Sequence, residues 1–330
     1  MKNQVLELLR QEDGYISGQE LCERFQVSRT AVWKIVNQLK EEGYGIEAVK
    51  NRGYRLVSVP DLVTEAEIQS CLHTEVMGRN CVYFAETDST NIQIRRLAEE
   101  GAPNGTLAVA DYQTAGKGRR GRGWSSKAGE DIFMSLLLRP QMNPANASML
   151  TLVMGLAGAR ACQELLLEQG CQEQIQIKWP NDLVWRGRKI CGILTEMGAE
   201  MEVIQYLAVG IGINVNAREF PREISDKAAS LCMALGYPLR RAEVIARVLY
   251  YFERDYQVFL QTEDLSGLVE DYTERLVNCG RQVQVMDPGK EYTGIARGIN
   301  SRGELLVEVD GETRQVYAGE VSVRGIYGYI

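Results

Sequence analysis

The hydrophobic pattern of this chain changes period twice, which constrains its fold more than any single motif. Up to Pro60-Asp61, apolar residues recur at helical spacing behind two serine caps. From there to about residue 275, helical stretches alternate with apolar runs short enough to be strands. Beyond that only short β-like runs remain, separated by Asp287-Pro288-Gly289, Asn300-Ser301-Arg302-Gly303 and Asp310-Gly311. The chain therefore reads as α+β in three domains, 1–60, 61–274 and 275–330, the last a small β-barrel. Its 330 residues are long for one domain and suit two or three.

Within 1–60, Val5, Leu6, Leu8 and Leu9 give the first helix an apolar face. Ser17 caps a second helix, with Glu20 in the capping-box position and Leu21 and Phe25 facing inward. After the turn Gln26-Val27, Ser28 caps a third helix running to Glu42, which buries Val32, Ile35/Val36 and Leu39 and stops at Gly43. IEAVK-NRG-YRLV then forms a hairpin with Gly53 in its turn. Helix–turn–helix followed by a β-wing is the winged-helix pattern, whose third helix enters the DNA major groove. Residues 1–60 hold nine Lys/Arg and eight Asp/Glu, 9 − 8 = +1, a weak footprint for DNA. The distribution is stronger: Arg29, Lys34 and Lys40 lie on the third helix with no acid among them, and Lys50, Arg52 and Arg55 lie on the wing. The candidate DNA contacts are Ser28, Arg29, Thr30, Lys34, Asn37, Lys50 and Arg52.

In 61–274, strands are expected at 81–85, 106–113, 131–138, 174–179, 190–197 and 203–215, and helices at 89–100, 146–169 and 241–261. The single histidine, His73, has no nucleophile motif near it. It reads as an ordinary partly exposed residue, which argues against Ser-His-Asp, Cys-His and His-bearing zinc chemistry. Eight cysteines without a CxxC pair read as reduced thiols in a cytoplasmic protein. The charged, amphipathic N-terminus is unlike a signal peptide. The longest apolar stretch, 149–159, is too short to span a bilayer, so no membrane role is expected. With a net charge of −7, any nucleic-acid site must be a local patch.

Four segments carry the chemistry. In Gln113-Thr114-Ala115-Gly116-Lys117-Gly118-Arg119-Arg120-Gly121-Arg122-Gly123-Trp124, four cations and no acid lie between 116 and 122. Its glycines let backbone N–H groups approach a phosphate or acyl-phosphate. It matches GxGxxG by the letter, but the required helix is missing, and no Gly-Lys-Ser/Thr follows. A nucleic-acid stripe or a solvated charge run are the blander alternatives. Lys178-Trp179-Pro180-Asn181-Asp182 ends a strand whose Ile175, Ile177 and Trp179 face the core. That leaves Lys178 on the other face, able to reach a phosphate or simply to sit at the surface. Glu86-Thr87-Asp88-Ser89-Thr90-Asn91 offers donors and acceptors at a helix start, or merely a cap. In Gly210-Ile211-Gly212-Ile213-Asn214-Val215-Asn216, the glycines mark a close approach to a ligand or another strand.

Taken together, DSTN, the Gly/Arg loop, KWPND, KICGIL, GIGINVN and the C-terminal GEVSVR resemble the biotin protein ligases, in that family's order and over essentially the whole chain. With a winged helix in front, the likeness is to the long bacterial form that doubles as repressor of the biotin genes. The resemblance implies a mixed α/β ligase domain of the biotin/lipoate type and an SH3-like barrel. It also implies biotin, ATP and Mg²⁺ as ligands, with biotinyl-AMP serving as intermediate and corepressor. Its implied partners are a biotin carboxyl carrier domain, operator DNA and a second copy of the chain when liganded. Ser89, Thr90, Asn91, Gln113, Gly116, Lys117, Arg119 and Lys178 would bind biotin, with Gly192, Leu194, Gly210 and Gly212 lining its slot. Arg119, Arg122, Trp124, Lys178, Asn214 and Arg324 would bind the nucleotide. Lys178 and Arg119 would be catalytic, with Asp182 as a base or, with Asn214, a Mg²⁺ contact. Lys117 stands where the family commonly has arginine, which puts a bidentate contact there in doubt. Rival readings are a ligand-sensing DNA-binding regulator without ligase chemistry, and a ligase with a vestigial N-terminus.

Overall fold

A computed structural model describes residues 1–121, 123–124, 127–200, 203–286 and 291–317, with the backbone alone of 322–325. Contacts divide the chain into two compact units, Met1–Leu62 and Val63–Ile330. The stretches 61–274 and 275–330 thus fall almost wholly within one unit.

The first unit contains α1 (Lys2–Gln11), α2 (Gly18–Phe25), α3 (Arg29–Glu41) and a hairpin of β1 (Gly45–Val49) and β2 (Gly53–Ser58). Both expected caps form: Ser17 Oγ accepts from Glu20 N at 3.0 Å and Ser28 Oγ from Ala31 N at 3.2 Å, satisfying N–H groups that a helix start leaves without partners. Val5, Leu6, Leu8, Leu9, Leu21, Val32, Val36 and Leu39 close the core beneath them. Gly53 has φ +108°, and a Cβ there would lie 1.9 Å from the Ile16 carbonyl oxygen. Any larger residue would push the wing off the helices.

In the second unit, β3 (Cys81–Phe84), β4 (Leu107–Ala110), β5 (Ile132–Leu138), β6 (Ile175–Lys178), β7 (Asp182–Trp185), β8 (Arg188–Glu200) and β9 (Val203–Ile213) form one sheet. Its order is β3-β4-β5-β9-β8-β7-β6, parallel only between β3 and β4. The helices are α4 (Glu65–Gln69), α5 (Thr90–Glu99), α6 (Leu150–Glu168), α7 (Leu231–Leu235), α8 (Arg241–Thr262) and α9 (Val269–Arg275). α5 buries Ile94 and Ala98 against Ala108, Leu137 and Ala208 on one face. The opposite face, with Leu107, Val109, Leu136 and Val209, packs in the core that α6 and α8 share. Covered on both faces, β5 reads as an almost continuous apolar run.

Three differences from the sequence reading have local causes. β7 follows β6 after only three residues, so a strand was expected at 174–179 and β7 itself was missed. α6 is apolar almost all round, the mark of a buried helix. Counting only the unbroken run at 149–159 understated it: Pro144–Glu168 is long and apolar enough to cross a membrane, yet 72% of its apolar window is buried inside the unit. Lys178 does not stand on an open face either; it is only 7% exposed.

The C-terminal strands β10 (Gln282–Met286), β11 (Tyr292–Ile299), β12 (Leu305–Val309), β13 (Glu312–Val316) and β14 (Ser322–Gly325) form an antiparallel sheet in the order β13-β12-β11-β10-β14, a small SH3-like element. It is fastened to the seven-stranded sheet where Trp179 Nε1, just past β6, donates to Gly303 O at 3.0 Å. His73 is exposed, and all eight cysteines are unpaired. Burial pushes the Cys162 thiol up to about 12, so at neutral pH it is no nucleophile.

Candidate functional site

A cavity of about 60 Å³ opens where the DSTN segment, the Gly/Arg loop and the middle of β5, β8 and β9 converge. Ser89, Thr90, Asn91, Gln113, Lys117, Arg119, Trp124, Gly192, Leu194, Gly210 and Gly212 line it. Residues more than a hundred positions apart are thus gathered in one place.

One wall is a closed hydrogen-bond network. Gln113 Oε1 accepts from Thr90 N at 2.8 Å and from Thr90 Oγ1 at 3.2 Å. The Ser135 hydroxyl lies 2.6 Å from both Thr90 Oγ1 and Asn91 Oδ1, and Asn91 Nδ2 donates to Glu196 Oε2 at 2.6 Å. Ser89 occupies the N-cap of α5, but its hydroxyl makes no cap bond. The bland reading of DSTN as a mere cap is therefore insufficient. Sequence reasoning missed Ser135; its signal is that it is the lone polar residue of Ile-Phe-Met-Ser-Leu-Leu-Leu, and it is fully buried.

The floor is glycine for steric reasons. A Cβ on Gly210 would lie 2.2 Å from Asn91 Oδ1; one on Gly192 or Gly212 would lie 2.6 or 2.8 Å from the Trp124 ring. The indole therefore rests on the sheet between β8 and β9 and fills much of the slot, with Lys189 Nζ 5.2 Å from its ring centre.

The other wall is the loop between β4 and β5. Gly116 O accepts from Trp124 N at 2.9 Å, closing it into a flap on which Lys117 and Arg120 are exposed. Arg119 turns inward, donating to Asn181 Oδ1 at 3.2 Å. Burial and the Arg120 charge lower the Arg119 pKa from its ordinary value, opposed by Asp182. The Arg122 assignment lies outside the described residues, as does the Arg324 side chain, whose backbone pairs with Gln284.

Lys178, Asp182, Asn214 and Gly116 are not among the cavity-lining residues. Asp182 Oδ1 lies 2.6 Å from Lys189 Nζ, and Asn214 Nδ2 donates to Ala229 O at 2.9 Å. An ammonium against the carboxylate does not suit a Mg²⁺ site, and no group of three carboxylates, thiols or imidazoles among the described residues could hold a metal. Lys189 was also unassigned by the sequence reading, although it opens KICGIL.

Fold and site define a protein of two parts: a winged helix, and an α/β unit holding a glycine-floored slot between neutral polar groups and a cationic loop. Residues 83–214 match the Biotin/lipoate A/B protein ligase family, residues 2–55 an HTH domain, and residues 279–324 the Biotin protein ligase C terminal domain. The chain is 37% identical to the bifunctional ligase/repressor BirA of Bacillus subtilis (strain 168), over 98% of both chains. To BirA of Escherichia coli (strain K12) it is 32% identical over 93% of this chain and 92% of that one. The solved biotin protein ligase of Aquifex aeolicus, in complex with biotin and ATP, is 31% identical, with a TM-score of 0.64 over 75% of this chain and 99% of that one. The chain belongs to the biotin protein ligase family, in the form that carries an N-terminal helix–turn–helix.

Proposed function

We propose that this protein joins biotin to a lysine of a carboxyl carrier domain through biotinyl-AMP, and represses biotin genes when that adenylate is bound. The carrying observation is the division of the slot: neutral, fixed hydrogen-bonding groups on one side and cations on the other. Biotin has matching ends, a neutral ureido ring and a carboxylate.

In this reading Ser89, Thr90, Asn91 and Gln113 hold the ureido ring, and Gly192, Leu194, Gly210 and Gly212 line the slot. A biotin carboxylate oxygen attacks the α-phosphorus of ATP, and the bond to pyrophosphate breaks. Arg119, Lys117 and Lys178 stabilise the charge on the carboxylate and α-phosphate, while Arg122, Trp124, Asn214 and Arg324 belong to the nucleotide side. The carrier amine, having lost a proton, then attacks the acyl carbon and AMP departs. Positioning and fixed charge suffice for both steps, so the chain needs neither a nucleophile of its own nor a second histidine. Mg²⁺ would enter with the ATP phosphates and not through Asp182 and Asn214. The Trp124 indole lies over Gly192 and Gly212, so a ring seated on that floor would displace it, and the indole is then the group available to cover the nucleotide.

The cytoplasm is the setting this reading requires, since ATP is a substrate. Operator DNA would meet α3 and the wing through Ser28, Arg29, Thr30, Lys34, Asn37, Lys50 and Arg52. A dimer of the liganded protein would bring two such helices to one site. The deciding experiment is biotin-dependent ATP–pyrophosphate exchange, scored in parallel with transfer to an acceptor domain. Ligand-dependent DNA binding without exchange would leave a regulator and no ligase. Equal sedimentation with and without biotinyl-AMP would remove the ligand-linked dimer.

A further inference from the structure

Trp33 is the one aromatic among the strongly exposed large apolar side chains of residues 1–62, at 57% exposure. It sits in the second turn of α3, in the row Arg29–Trp33–Asn37, beside the row Thr30–Lys34. Arg29, Thr30 and Lys34 are exposed and Asn37 half-buried. Trp33 takes no part in the core of the unit, to which α3 contributes Val32, Val36 and Leu39. The aromatic near the wing is treated differently: Arg52 lies over the Tyr15 ring at 4.5 Å, and the Tyr15 hydroxyl donates to Glu47. Tyr15 is covered, and Trp33 is bare.

We infer that Trp33 is a base-reading residue of this protein, its indole packing on thymine C5-methyl groups in the major groove. The inference rests on the DNA-binding reading of α3. A helix that lays Arg29, Thr30 and Lys34 into the major groove must carry Trp33 in with them, because it lies between them on the same face. The cations on either side complement phosphate and would hold it there. Once inside, the indole is stripped of water and faces a groove floor made almost entirely of hydrogen-bonding atoms. Set against those, it would leave base donors and acceptors without partners. The thymine methyl is the one apolar group on that floor, so the indole favours A·T steps at the centre of each half-site.

The test uses the full-length protein with biotin and ATP at fixed salt, on a duplex selected by the wild-type protein from a random pool. Uracil then replaces each thymine in turn, deleting only the methyl. At contacted positions wild-type binding is expected to weaken roughly fourfold per methyl. Trp33→Ala should bind the parent duplex about tenfold or more weakly and respond to none of these replacements, with far-UV circular dichroism and melting as folding controls. Its salt dependence should match wild type, whereas Lys34→Ala should lower the salt slope by about one. Wild-type binding indifferent to uracil at every position, or Trp33→Ala as sensitive as wild type, overturns the inference and leaves DNA binding standing. Failure of the wild-type protein to select any duplex overturns both. The uracil series on unmutated protein decides the matter even if the variant folds poorly.

Discussion

On the α5 side of the slot, Thr90, Asn91, Gln113 and Ser135 are joined by contacts of 2.6–3.2 Å and are at least partly buried. On the loop side, Lys117 and Arg120 are exposed, and Arg119 reaches the sheet through Asn181. The first arrangement fixes donors and acceptors before a ligand arrives, which favours affinity and selectivity. The second carries its charge on a loop that can close on a phosphate, which favours the rate of a charge-forming step. Substitutions on the two sides should therefore separate KM from kcat, with Lys178 assigned to the rate.

The largest effect is expected at Lys178. Lys178→Ala should slow adenylation by about 10²–10³-fold, as expected for removing a group aimed at transition-state charge, and alter biotin KM far less. Pyrophosphate exchange under saturating biotin measures it. Wild-type exchange would remove Lys178 from the mechanism and assign rate to the loop alone.

Next come the two floor glycines, which share a strand and differ in what lies above them. The Gly210→Ala methyl would meet Asn91, whose amide is tied to Ser135, Leu194 and Glu196. Overpacking against a fixed group typically costs about 1–3 kcal/mol, so biotin KM should rise roughly tenfold to a hundredfold. The Gly212→Ala methyl would meet Trp124 first, the side chain that yields to the ring in this reading, so it clashes with no fixed group and its KM should rise less than that of Gly210→Ala. Equal effects would abolish the distinction between a fixed and a movable wall.

Much of this was legible in the sequence, and the reason is locality. Serine caps at 17 and 28, the Gly53 turn and the glycine pair of β9 are set by neighbours in the chain. Trp179 was rightly turned toward the core. Illegible features depended on distant partners. Ser135 acquires its role only when α5, some 45 residues earlier, is laid against β5. Lys178 is buried because β7 folds back beside it, and Lys189 meets Asp182 only through pairing of β7 with β8. The composition shift near 275 is real, yet the Trp179–Gly303 bond and the packing of Gly303 against Leu152 and Leu265 join what it separates.

Ser135→Ala should have a smaller effect than Gly210→Ala, because it removes a group and adds no clash. It deprives Thr90 Oγ1 and Asn91 Oδ1 of a buried partner, a loss of about 1–2 kcal/mol. Biotin KM should rise about five- to thirtyfold with kcat nearly constant. A fall in kcat at unchanged KM would show that the network positions the reaction rather than the ring.

The smallest effect on catalysis, and a clear one on stability, is expected at Asp131, just ahead of the strand that carries Ser135. Its carboxylate accepts from Val215 N at 2.9 Å, so it ties the ends of β5 and β9 together. Burial raises its pKa from 3.8 to about 6, reinforced by Glu130 and opposed by the Val215 and Ala217 amides and by Arg241. A carboxyl raised on folding binds its proton more tightly in the native state. Its unfavourable contribution is therefore complete above pH 6 and disappears as pH falls toward 4. Asp131→Asn keeps an oxygen for Val215 N and cannot ionise. It should melt a few degrees higher than wild type at pH 8, with the gap closing toward pH 4, while exchange activity stays within about twofold. Asp255, also raised to about 6 chiefly by burial, should leave a residual slope of the same sign in the variant. Melting curves of both proteins across pH 4–8 measure the difference. Parallel curves would mean that Asp131 is ionised in the folded protein, with Arg241 rather than a proton balancing its charge.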